Sequence, residues 1–172
     1  MESSINKEQL MNLADHYGFK EWRELIFIHE SAIKEVNTKL KILNNEFKII
    51  HDHNPIEHIK TRVKTPDSII EKLERKGYEV NIENAKNKIS DIAGIRIICS
   101  FTDDIYKILE MIKSQDDIEV LKVKDYIKNP KENGYRSLHL LIQLPIFLSS
   151  QARMTKLDEY AAVEYAAAYI DL

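Results

Sequence analysis

The sequence is poor in cysteine, glycine and proline, and it has no long hydrophobic run. Cys99 is the only cysteine, so no disulfide can form within the chain. Four glycines and four prolines in 172 residues leave little material for long linkers or low-complexity tracts. No apolar run reaches the roughly 20 residues a membrane-spanning helix needs. The first residues, MESSINKEQL, lack the apolar core of a secretory signal. These absences together predict a cytoplasmic protein. The net charge of −3 excludes a global positive field, so any anion site must be a local basic patch.

What is present reads as one globular domain. Hydrophobic residues make up 44% and charged residues 31%, enough to build a core under a polar surface. Ile5 to Tyr17 has the spacing of a short amphipathic helix. Lys20 to Ile50 reads as a long one, with Trp22, Ile26, His29, Ile33, Val36, Leu40, Leu43, Phe47 and Ile50 on one stripe. That stripe suits either a helix laid against a sheet or a seam for a partner. Strands are expected over Ile59–Lys64, Ile92–Ser100, Ile118–Lys124 and Leu138–Leu144. The second is apolar almost throughout, as for a strand covered on both faces. Helices are expected over Ser68–Lys76, capped by Asp67 and closed by Gly77, over Asn84–Lys88, and from Asp103 or Asp104 to Ile112. The alanine-rich segment after Gln151 carries a weak helical stripe. This order predicts an α/β (α+β) fold, a mixed sheet flanked by helices.

Three clusters could carry chemistry. Arg62 and Lys64 share one face of a strand, and Ser68 and Lys72 share one face of the following helix. Cations aimed at a helix N-terminus make an anion site, although the same pattern also describes a solvated basic surface. Asp91 precedes an apolar strand that contains Arg96. The carboxylate either binds a cation such as magnesium or caps a turn, and the arginine needs a carboxylate or a planar ligand. The third cluster is Lys131-Glu132-Asn133-Gly134-Tyr135-Arg136-Ser137-Leu138-His139. Here Tyr135 could stack on a base, Lys131 and Arg136 could reach phosphates, and Asn133-Gly134 favours a turn with positive φ. His139 is either an interior strand residue or a ligand contact. His51-Asp52-His53 with His58 has the look of a metal cluster but no further ligands at useful spacing. Cys99 reads as packing.

These fragments occur in a telling order: H-D-H-N-P-I-E, R-V-K-x3-S-I-x2-K, D-I-A-G-I-R-I-I-C, F-x-D-D-I and D-Y-I-x-N-P-K-x-N-G-Y-R-S-L-H. From about His51 to Leu148 the chain resembles the synthetase domain of the RelA/SpoT family, especially its small alarmone synthetases. The resemblance implies three parts: a helical region at 1–50, a synthetase core at 51–150 and a divergent tail at 151–172. It also implies a nucleotidyltransferase-like fold and transfer of the β,γ-diphosphate of ATP to the 3′-hydroxyl of GDP or GTP, a GTP pyrophosphokinase reaction. Arg62 and Arg96 would sandwich adenine, and Lys64, Ser68 and Lys72 would hold the ATP phosphates. Asp91 would bind Mg²⁺. Tyr135 would stack on guanine, with Lys131, Asn133, Arg136 and His139 around the acceptor nucleotide. Similar proteins form homotetramers, so the resemblance extends to a homo-oligomer. It implies neither a membrane nor a DNA partner. The chain departs from the family where a later strand should carry E-x-Q-x-R-T. We expect Asp158 in the glutamate's place, one step from Glu159, and no counterpart of the glutamine or arginine. The alternative is a catalytically impaired or truncated module that binds nucleotides.

Overall fold

The computed structural model describes residues 18–146 and 160–169. Helix α1 (Phe19–His51) leads into strand β1 (His58–Val63), followed by α2 (Pro66–Arg75), α3 (Ile82–Lys88), β2 (Ala93–Cys99) and α4 (Thr102–Lys113). Strands β3 (Glu119–Asp125), β4 (Ser137–Pro145) and β5 (Tyr160–Tyr169) complete one five-stranded sheet in the order β1-β2-β5-β4-β3. Only β2 and β5 pair in parallel; the other neighbours are antiparallel. The expected helix over Ile5–Tyr17 lies outside the described residues.

One face of the sheet is the core. Ala93, Ile95, Ile97 and Cys99 of β2 and Leu138, Leu140, Ile142 and Leu144 of β4 are buried against α1 and α4. Helix α1 contributes Ile28, Ala32, Ile33, Val36 and Leu40, and α4 contributes Ile105, Ile108, Leu109 and Ile112. The first half of the predicted α1 stripe is therefore laid against the sheet. Its last turns run past the sheet, leaving Ile49 and Ile50 exposed. A second apolar cluster joins Trp22, Leu25 and Ile26 of α1 to Ile69 and Leu73 of α2, fixing α2 beside the end of β1.

Two expectations need correction here. Strand β2 is not covered on both faces. Its burial alternates, and Arg96 is exposed on the side opposite the core. The run looked buried because Ile98 and Gly94 happen to be apolar on the open side too. Over Tyr160–Tyr169 the alanine-rich segment is a strand, not a helix. Alanine favours helix in isolation, but each residue of β5 from Val163 to Ala168 is paired on both sides, and that tertiary pairing overrides propensity.

Candidate active site

The open face of the sheet positions the site, and pairing fixes which residues share it. One row across the sheet runs Arg62, Gly94, Glu164, Leu141. The next runs Lys60, Arg96, Ala166, His139, Lys124. Because side chains alternate along a strand, Lys60 and Arg62 share a face, as do Gly94 and Arg96. Their partners Ile59 and Val63 turn into the core. Over these rows lies a cavity of about 480 Å³ lined by Lys60, Arg62, Asp91, Arg96, Tyr135 and His139, among others. A second cavity of about 350 Å³ lies beside it, over Lys122, Lys124, Tyr126, Lys131 and His139. His139 lines both.

At the end of β1 the chain enters α2. Pro66 stands in the first turn, and Thr65, not the expected Asp67, is the cap: its Oγ1 accepts from the Ser68 amide at 3.3 Å. Thr65 and Ser68 also bond through their hydroxyls at 3.0 Å. Gly77 closes the helix with φ of 74°, as predicted. Lys64 and Lys72 converge on one oxygen of Asp91, Nζ to Oδ2 distances being 3.1 and 2.6 Å. Burial alone would raise the Asp91 carboxyl. The hydrogen bonds and charges of Lys72 and Lys64 outweigh it and hold the group below its ordinary range. The other oxygen, Oδ1, is buried and has no hydrogen-bond partner. A carboxylate oxygen left without a partner beside a polar cavity is a ready arm for a hard cation such as Mg²⁺.

The loop before β4 has the predicted turn. Gly134 adopts φ of 80° and its amide donates to the Lys131 carbonyl at 2.8 Å. Asn133 Oδ1 accepts from the Tyr135 amide at 3.2 Å, so this side chain shapes the loop. Tyr135 is 40% exposed, and its hydroxyl lies 3.0 Å from His139 Nε2. The Lys131 ammonium sits 4.8 Å from the Tyr126 ring centre and 5.1 Å from that of Tyr135. The cation lies over the Tyr135 ring, so a base stacked on the opposite face would share the ring with it.

The predicted residues fall into groups. Arg62, Asp91, Arg96, Tyr135 and His139 line one cavity, and Lys64 and Lys72 reach it through Asp91. Ser68 is at the N-terminus of α2. Lys131 lines the second cavity. Asn133 lines neither of these cavities but a hollow it shares with Tyr126 and Lys131. Arg136 is exposed and lines none of these cavities. Asp158 lies outside the described residues. His53, read as part of a weak metal pattern, is hydrogen-bonded to buried Asp104 at 2.7 Å. Sequence reasoning missed Lys60, Lys122, Lys124 and Tyr126 as site residues. Alternation alone could have found the lysines, since Lys122 and Lys124 stand two apart, like Lys60 and Arg62.

It also missed Glu164. The register puts this acid between Gly94 and Leu141, in the row of Arg62. Set against E-x-Q-x-R-T, Glu164-Tyr165-Ala166-Ala167-Ala168-Tyr169 matches at the glutamate alone, with Ala166, Ala168 and Tyr169 in place of the glutamine, arginine and threonine. The signal was there, hidden by the helical reading of the segment.

A family model described as the region found in RelA/SpoT proteins matches residues 61–170. The chain belongs to the RelA/SpoT family. The match runs through β5, so the C-terminal departure lies in residue identities within that strand and not in loss of the strand. Among its RelA/SpoT relatives, GTP pyrophosphokinase YwaC of Bacillus subtilis (strain 168) is 43% identical over 159 residues, covering 87% of this chain and 76% of the relative. GTP pyrophosphokinase YjbM of the same organism is 34% identical over 160 residues, covering 87% and 74%. The crystal structure of small alarmone synthetase 1 from Bacillus subtilis, bound to its product pppGpp, superimposes with a TM-score of 0.75 at 34% identity. It covers 88% of this chain and 74% of that one. The expected kinship with small alarmone synthetases, the nucleotidyltransferase-like fold and the GTP pyrophosphokinase class are borne out. Among the described residues, no helix is long and apolar enough to cross a membrane.

Proposed function

We propose that this RelA/SpoT member makes (p)ppGpp by moving the β,γ-diphosphate of ATP to the ribose 3′-hydroxyl of GDP or GTP. The observation that carries the reading is one cavity shared by the arginine pair on β1 and β2 and by Tyr135 of the loop before β4 with His139 on β4. A site for two nucleotides needs two recognition sides facing one space. In this reading Arg62 and Arg96 hold adenine between them, and Lys64, Ser68 and Lys72 take the ATP phosphates. Tyr135 stacks on guanine. Lys131, His139, Asn133 and Arg136 belong to the acceptor side, and Lys122 and Lys124 extend its positive charge.

The 3′-oxygen attacks the β-phosphorus, the bond from that phosphorus to the α-bridging oxygen breaks, and AMP leaves. The 3′-hydroxyl proton must go to a base, and we assign that role to Glu164 in preference to Asp158. Asp91 is the carboxylate suited to Mg²⁺; it precedes β2, and Glu164 pairs with Gly94 on that strand. A bound magnesium would neutralise charge on the phosphate oxygens. The remaining catalysis is positioning and fixed positive charge, which the lysines and arginines supply.

The alanines at 166 and 168 favour a second reading, a nucleotide-binding member with weakened turnover. Incubating the chain with ATP, GTP and Mg²⁺ and chromatographing the products separates the two. AMP with a tetra- or pentaphosphate supports the synthetase. Nucleotide binding without either product supports the second reading, and no binding refutes both.

A further inference from the structure

We propose that Lys64 and Lys72 latch Asp91 shut against free divalent cations, so that metal enters only with a polyphosphate. The inference rests on the reading of Asp91 as the metal carboxylate and of the two lysines as phosphate ligands. Its basis is geometric. Both ammonium groups bond to the same oxygen, at 3.1 and 2.6 Å, and all three side chains are at least four-fifths covered. The carboxylate and two ammoniums together carry a net charge of +1. A lone divalent cation approaching Oδ1 therefore meets repulsion, even though that oxygen has no other partner.

A nucleotide triphosphate reverses the balance. Its oxygens offer the lysines stronger partners, and both lysines stand where such an anion would arrive. Lys64 follows the end of β1, and Lys72 lies one turn beyond Ser68 at the start of α2. Each has a flexible four-carbon stem and can turn from carboxylate to phosphate without movement of the backbone. Once they turn, the negative charge of Asp91 is no longer offset by the two ammonium groups. The same two lysines thus act first as a lock and then as ligands. By linkage, metal and nucleotide must each strengthen the other's binding.

Mn²⁺ in place of Mg²⁺ gives a readout independent of turnover, because Mn²⁺ on the protein enhances water-proton relaxation. The wild-type chain should bind Mn²⁺ weakly when alone. Lys64→Met/Lys72→Met should bind Mn²⁺ alone more tightly, by about 5- to 150-fold, the usual range of such couplings. Adding Asp91→Asn to that variant should remove the gain. Lys72→Gln, a milder change, should show part of it, and circular dichroism checks that each variant folds. Equal Mn²⁺ affinity in wild type and both lysine variants overturns the latch. So does a gain that survives Asp91→Asn. A separate calorimetric titration of the wild type with a non-hydrolysable ATP analogue tests the nucleotide reading itself. Its failure would be seen there, while the metal-alone comparison still decides whether the lysines block Asp91.

Discussion

Replacing Tyr135 by alanine should weaken the acceptor nucleotide and spare the donor. The ring is 40% exposed, and its covered part is held by the hydroxyl contact to His139 and by the Lys131 side chain beside it. The uncovered part is what a base would cover. Stacking a base on an aromatic side chain contributes about 1–3 kcal/mol, which corresponds to roughly 5- to 160-fold in Kd. Tyr135→Phe keeps the ring and loses only the 3.0 Å contact with His139. The cost should be about 0.5–1.5 kcal/mol, or roughly 2- to 13-fold. Calorimetric titration with GDP, and separately with a non-hydrolysable ATP analogue, measures both. The ordering expected for GDP is wild type, then Phe, then Ala, with the ATP analogue unchanged. Equal losses for both nucleotides, or a phenylalanine variant as poor as alanine, would refute the stacking argument.

Glu164→Gln should abolish product formation while leaving nucleotide binding intact, and Asp158→Ala should leave turnover unchanged; product chromatography distinguishes the two acids. Asp104→Ala should lower the urea midpoint. Asp104 is 1% exposed and pairs with His53 at 2.7 Å, so the loss should be about 1.5–3 kcal/mol, while the half-exposed Lys107 adds little. An unchanged midpoint would show that this contact carries no stability. His29 should make stability fall in mild acid. Burial lowers its imidazole below the ordinary 6.5; the bond its Nδ1–H donates to the Leu25 carbonyl opposes that, and the charge of Lys86 adds to it. The unfolded chain therefore takes up the proton first, and stability is lost as pH drops below 6.5, with no effect above. Thermal melts across that range should flatten in His29→Leu.

Local signals were the readable ones. The glycine turns at 77 and 134 need positive φ, and so few glycines make each one informative. The clustering of Arg62, Lys64, Ser68 and Lys72 followed from alternation on a strand and spacing on a helix. What could not be read was which side of the sheet the helices leave open. A run such as Gly94-Ile95-Arg96-Ile97-Ile98 looks the same whether one face or both are covered. Arg96 therefore passed for a buried charge, when it stands exposed on the face that holds the cavity. The hardest segment was β5, whose alanines argue for helix. Only long-range pairing makes it a strand, and pairing partners separated by tens of residues leave no local pattern.

The middle place of β5 has a consequence for biogenesis. Without it, β1 pairs only with β2 and β3 only with β4, so the sheet is two separate hairpin-like halves. In the proposed reading the donor half and the acceptor half are stitched together by β5, which is made after the other four strands of this sheet. Until then β2 and β4 present bare edges, open to the wrong partners. A nascent chain that stops before β5 would own every side chain proposed above to touch a nucleotide except Glu164, and still lack the sheet that brings the two halves together.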